Sequence, residues 1–101
     1  MQWSEEVILK TNNVSVRVLS LAPKEVAPWH FHQNVVDNMF CLSGSILIDL
    51  QNPSESLLLE PGHRCEVKPG RVHRVSNPQE KEAKYLLVQG VGEYDFNIVS
   101  S

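Results

Sequence analysis

The chain has 101 residues, 42% of them hydrophobic and 21% charged, with a formal net charge of −3. That length implies a single domain, residues 1–101, able to bury about 65% of its unfolded surface without disulfides. A pI near 5.7 and the lack of a Lys/Arg cluster argue against nucleic-acid binding. The opening MQWSEEVILK is acidic and has no long apolar run, so no secretion signal is expected. MFCL and SILI are too short to span a membrane. Cys41 and Cys65 make no disulfide framework, and a cytoplasmic protein with reduced thiols is expected.

In chain order, NVSVRV alternates, with Val14, Val16 and Val18 on one face and Ser15 and Arg17 on the other. PWHFHQNVVD follows. Pro28 disfavours helix, and in an extended chain His30 and His32 project side by side while Trp29 and Phe31 point the opposite way. Asp37 comes after a short loop, and Met39 and Cys41 share its parity on the next strand. ILIDL places Ile46, Ile48 and Leu50 together, and RCEVK pairs Cys65 with Val67 while Arg64 and Glu66 alternate away. VHRVSN sets Val75 on the side of His73; AKYLLVQG sets Tyr85 with Gln89; YDFNIV reads as a last strand.

Turn residues punctuate these runs at Ala22-Pro23, Ser43-Gly44, Asn52-Pro53, Pro61-Gly62, Pro69-Gly70 and Asn77-Pro78. Residues 52–56 and 78–84 read as exposed loops. About eight or nine short strands with almost nothing at helical period make an all-β sandwich or barrel. Gly44, Gly62 and Gly70 are expected to supply positive φ at tight turns, and Asn77 to form a turn. His63 is expected to be an exposed histidine at a strand edge.

Two spacings carry the chemistry. The first half reads H-x-H-x4-D-x6-G through His30, His32, Asp37 and Gly44; the second reads G-x7-G-x2-H-x3-N through Gly62, Gly70, His73 and Asn77. Both motifs, and their order, resemble those of the cupin superfamily, whose small single-domain members fold as a double-stranded β-helix, a jelly-roll β-barrel. The resemblance implies one divalent transition metal (Zn, Fe, Mn, Ni or Cu) held by His30, His32, Asp37 and His73. Three departures stand out: Asp37 where the family more often has Glu, Lys24 where it has Gly, and Lys68 where it has Pro; the shorter Asp37 either ligates directly or stands behind a site of three histidines.

Neutral imidazoles with a carboxylate suit such ions, and protein ligands gathered on one side leave coordination positions open. Met39, Cys41, Tyr85 and Gln89 are candidate pocket residues for a small organic ligand. Beyond Asp37, no inward Glu, Lys or Arg is expected. Two functions follow: a metal-dependent enzyme of oxygenase, isomerase or lyase type, or a non-catalytic, metal-assisted small-molecule binding protein. Trp3, Trp29 and Phe31 lack obvious internal partners, and short sheets leave edges, so a homodimer is expected, as is common among small cupins.

Overall fold

A computed structural model describes residues 4–100; Trp3, offered above as a contact residue, lies outside them. Ten strands occur in chain order: β1 Ser4–Lys10, β2 Val14–Leu21, β3 His30–Phe31, β4 Val36–Ser43, β5 Ile46–Leu50, β6 Glu55–Leu59, β7 Arg64–Val67, β8 His73–Ser76, β9 Ala83–Gly90 and β10 Asn97–Ile98. They form two five-stranded antiparallel sheets, ordered β1-β2-β9-β4-β7 and β10-β3-β8-β5-β6. This is the jelly-roll arrangement that the motifs imply. No helix among the described residues is long and apolar enough to cross a membrane.

Alternation fixes which face of each strand is inside. Ile46, Ile48 and Leu50 of β5 are all buried, as are Cys65 and Val67 of β7 and Ala83, Tyr85 and Leu87 of β9. With Leu19, Leu21, Met39, Cys41, Leu59 and Val75 they form one core between the sheets. Each such aliphatic side chain contributes about 1.5–3 kcal/mol by leaving water. The two strands the sequence did not reveal, β1 and β6, are outermost in their sheets and mostly exposed, so nothing forces alternation on them. The loop expected over 52–56 is shorter than that, because β6 begins at Glu55. Trp29 is not without an internal neighbour: the Arg74 guanidinium lies 4.4 Å from its ring centroid.

Three turns share one design. Glu25, His63 and Arg71 each donate their backbone N–H to the carbonyl three residues back, at 3.0, 2.9 and 3.3 Å. Pro23, Pro61 and Pro69 occupy the second position, where a fixed φ favours the turn. The third position has positive φ in all three: Gly62 at 91°, Gly70 at 84° and Lys24 at 62°. Lys24 therefore keeps the conformation of the glycine it replaces, and its Nζ donates to the Pro78 carbonyl at 2.7 Å. Asn77 anchors the same corner. Buried, it donates through Nδ2 to the carbonyls of Leu21, Ala22 and Lys81 and accepts from Gln79 N–H.

A residue with a Cβ in the left-handed region is strained, and a β-branched one more so. Lys24→Gly is expected to leave stability unchanged or raise it by up to about 1 kcal/mol, with the glycine's freedom in the unfolded chain limiting the gain. Lys24→Val should cost about 2 kcal/mol. Denaturant titration of both variants checks this; equal stability of the two would contradict a left-handed Lys24.

Candidate metal centre

The register of the two sheets brings the motif residues together. His30 on β3 is the cross-strand partner of His73 on β8, so their side chains lie on the same face of one sheet. Asp37 on β4 is the cross-strand partner of Gln89 on β9 in the other sheet, facing them. His32 follows β3 directly. One ligand-type atom from each of His30, His32, Asp37 and His73 falls within 4.8 Å of the others, and all four residues are buried.

The protons are placed for ligation. His30 Nδ1 lies 2.9 Å from the Pro28 carbonyl oxygen, His73 Nδ1 lies 2.9 Å from that of Arg71, and His32 Nδ1 contacts that of Asp95. A carbonyl only accepts, so each Nδ1 carries the hydrogen and each neutral ring keeps its lone pair on Nε2. His32 Nε2 and His73 Nε2 both stand 3.1 Å from Asp37 Oδ2. His32 Nε2 is close but misaligned, and is buried with no hydrogen-bond partner among the described residues.

Lone pairs turned toward a carboxylate repel it unless a cation sits between them. The donor set therefore fits a divalent ion, since donors about 2.1 Å from a common centre lie roughly 3–4 Å apart. Asp37, though a methylene shorter than Glu, reaches the imidazoles from its place on β4.

Asp37 has its other oxygen engaged. Gln89 Nε2 donates to Oδ1 at 2.9 Å, and Arg17 Nη2 donates to Gln89 Oε1 at 2.5 Å. The amide can be turned only one way, because a guanidinium only donates and a carboxylate only accepts. This chain leaves Oδ2 alone facing the histidines.

The alternation of β2 holds, and Arg17 is on its inner face. It shares a face with the buried Leu19 and Leu21 and lines the barrel cavity, so Val14, Val16 and Val18 are on the outer face, half-buried. The expectation of no inward cation is overturned with it. Met39, Tyr85 and Gln89 line the same cavity. Cys41 does not line it; two residues further along β4 than Met39, it is buried in the core with its thiol toward the Gly44 carbonyl. His63 is exposed, and its Nδ1 accepts the Glu60 N–H at 3.2 Å.

Sequence reasoning also missed the segment over the histidines. Only Asn97–Ile98 of YDFNIV is strand. Before it, Phe96 stacks on His30 with ring centroids 4.5 Å apart, and Tyr94 approaches His32 at 5.5 Å. The Asp95 carboxylate pins the segment by accepting the N–H groups of Gln33 and Asn34. The aromatic-acid-aromatic order of Tyr94, Asp95 and Phe96 is the one signal that could have revealed it.

The sequence matches the family profile described as the cupin domain over residues 17–89. The chain belongs to the cupin family. Among solved structures, an uncharacterized conserved protein with a double-stranded β-helix domain from Klebsiella pneumoniae is 24% identical; the match covers 99% of this cupin and 86% of that chain, with a TM-score of 0.86. A cupin superfamily protein from Desulfitobacterium hafniense is 16% identical over 89% of this chain and 78% of that one, with a TM-score of 0.77. An oxalate oxidase in complex with the substrate analogue glycolate is 17% identical, with a TM-score of 0.83. There the match covers 96% of this cupin but about half, 55%, of the oxidase chain. No curated protein matches the chain.

Electrostatics divide the histidines of this cupin. Burial, reinforced by the neighbouring His73, lowers His30 from 6.5 to about 4. Burial also acts to lower His32, but the Asp37 carboxylate outweighs it and the net shift is upward. Burial acts to raise Asp37, yet close contact with His32 and His73, the charge of His32 and the Gln89 hydrogen bond hold it well below the usual carboxylate range. Without metal, His32 is therefore the proton carrier beside Asp37.

The signs for stability are opposite. His30 is depressed, so its contribution is lost as pH falls from 6.5 toward 4, where only the unfolded chain takes the proton. His32 is raised, so its contribution is complete below 6.5 and fades as pH rises through its folded value. Nitrogen-15 NMR of metal-free protein should show His30 neutral and protonated on Nδ1 down to about pH 5, with His32 titrating above 6.5. A His30 that titrates near 6.5 would contradict this environment.

Proposed function

We propose that this cupin binds one divalent transition metal through His30, His32 and His73 Nε2 and Asp37 Oδ2, and acts with it on a small organic ligand in the barrel as a metal-dependent enzyme. The observation that carries the reading is the tautomer lock: three Nδ1–H groups held by carbonyls, with the Nε2 atoms converging on one carboxylate oxygen. When bound, such an ion supplies Lewis acidity and, for a redox metal, electron transfer. The chain's own residues then have defined tasks. Three neutral imidazoles orient the centre, and Asp37 offsets one positive charge. Phe96 and Tyr94 screen the histidines from water. Gln89 keeps Asp37 turned toward them.

A second reading, metal-assisted binding without turnover, draws support from the lining of the cavity. Burial raises both Tyr85 and Tyr94, so both stay protonated hydroxyls, and a guanidinium does not release its proton. Asp37 and the three histidines are thus the wall residues with the chemistry of a general base, and metal ligation would occupy all four. The oxalate oxidase complex is a precedent for a small hydroxy acid on this fold. Turnover of metal-loaded protein against keto acids, diketones and sugars separates the readings: product formation supports the enzyme, and saturable binding without product supports the binding protein.

Metal analysis of protein purified without chelators or a histidine tag is expected to find one ion per chain. His32→Ala and His73→Ala should each lose most of it, and unchanged stoichiometry in both would contradict the site. Asp37→Asn should weaken metal affinity at least tenfold by removing a charge; a change within a few-fold would leave a three-histidine site. Asp95→Ala should weaken affinity about tenfold by loosening the segment that holds the His32 proton, as removal of such supporting groups does elsewhere.

A further inference from the structure

Arg17 occupies an unusual place for a cation, on the inward face of β2 with its side chain 17% exposed. Its Nη1 donates to Glu5 Oε2 at 2.9 Å and its Nη2 to Gln89 Oε1 at 2.5 Å. The Tyr94 ring lies 5.7 Å from its Cζ. Nε is buried with no hydrogen-bond partner among the described residues. A guanidinium carries five N–H donors in a planar fork that matches a carboxylate, so Arg17 has donors to spare.

Its surroundings select the ligand. Arg17, Gln89 and Tyr94 wall both the inner cavity beside the histidines and an outer cleft bordered by β1 and residues 92–94. The guanidinium thus stands between solvent and the metal residues. The inner cavity is small, about 60 Å³, so it admits only a short ligand. Its remaining wall is apolar, with Leu19, Leu87 and Phe96 among its members.

Charge points the same way. Glu5 balances Arg17 from the outer side, Asp37 offsets one charge of a divalent ion, and one positive charge is left over for an anion.

We propose that Arg17 is an anion-binding residue and that the ligand is a small monocarboxylate of two or three carbons. Its carboxylate takes the free N–H donors of Arg17, and its other end faces His30, His32, Asp37 and His73. A longer chain exceeds the cavity, and an uncharged isostere gives up the charge-assisted hydrogen bonds to the guanidinium. The placement of the far end rests on the metal reading; the contact with Arg17 does not.

The test titrates the full chain, metal-free and zinc-loaded, with lactate, its uncharged isostere lactamide, hexanoate and inorganic phosphate. The Arg17 Nε–H resonance is followed by NMR. Lactate is expected to shift that resonance in both forms and to bind more tightly with zinc. Lactamide and hexanoate are expected to bind at least tenfold more weakly. Arg17→Met should lose lactate at least tenfold with zinc still at one per chain, and Arg17→Lys should recover part of the affinity. Lactamide within threefold of lactate, phosphate tighter than lactate, or undiminished binding by Arg17→Met would each overturn the proposal. If the methionine variant does not fold, the ligand series on the parent decides alone. If the parent takes up no zinc, the metal reading fails, and the metal-free lactate titration still decides Arg17.

Discussion

A carboxylate buried beneath imidazole nitrogens requires a positive charge beside it, and much of the barrel is arranged around that need. Asp37 lies with one oxygen 3.1 Å from the Nε2 atoms of His32 and His73. Backbone carbonyls hold the ring hydrogens on the opposite nitrogens, so neutral rings turn only lone pairs toward Asp37. In the metal-free protein the raised proton affinity of His32 supplies the charge. A divalent ion held by the same four residues would supply it. The same atoms that resist neutral, dry packing are those that could hold a metal ion.

The constraint extends outward in both directions from Asp37. On one side, Gln89 fixes Oδ1 and hands the connection to Arg17, which in turn meets Glu5 at the surface. On the other, Asp95 ties the 94–96 segment to the loop after β3, and its carbonyl sets the proton on His32. In each link at least one partner can only accept or only donate, which leaves little freedom in orientation. The cavity therefore has a histidine–carboxylate end and a cationic end, joined by Gln89 along one wall. Its size and polarity follow from the β-sheet register: Asp37 opposite Gln89, and Arg17 opposite Leu87.

Within the buried histidine–carboxylate cluster, the pairing of His30 with His32 was legible from period-two alternation, and Asp37 and His73 from the resemblance of the two motifs to those of the cupins. His30 and His32 must share a face, and the two motif spacings place Asp37 and His73 where β4 and β8 present them. The turns at Gly62 and Gly70 were legible for a local reason, proline followed by glycine. Arg17 was not. Val14, Val16 and Val18 alternate as clearly as core residues do, but β-branched side chains also suit the outer face of a strand, and it is Leu19 and Leu21 that mark the interior. The 94–96 segment was hidden because its role depends on crossing over residues more than sixty positions earlier. Strands β1 and β6 have one partner each and little burial, so no pattern was imposed on them. Cys41 has the parity of Asp37 and is buried as expected, but the cavity ends before reaching it.

X-ray absorption spectroscopy of the metal-loaded protein tests the central claim most directly, because it reads the atoms around the ion. Three imidazole nitrogens and one carboxylate oxygen are predicted at about 2.0–2.2 Å, with no sulfur neighbour, since both thiols are buried apart from the site. The Asp37→Asn variant should change the oxygen shell and keep the imidazole scattering. A spectrum showing a thiolate, or fewer than three imidazoles, would contradict the account.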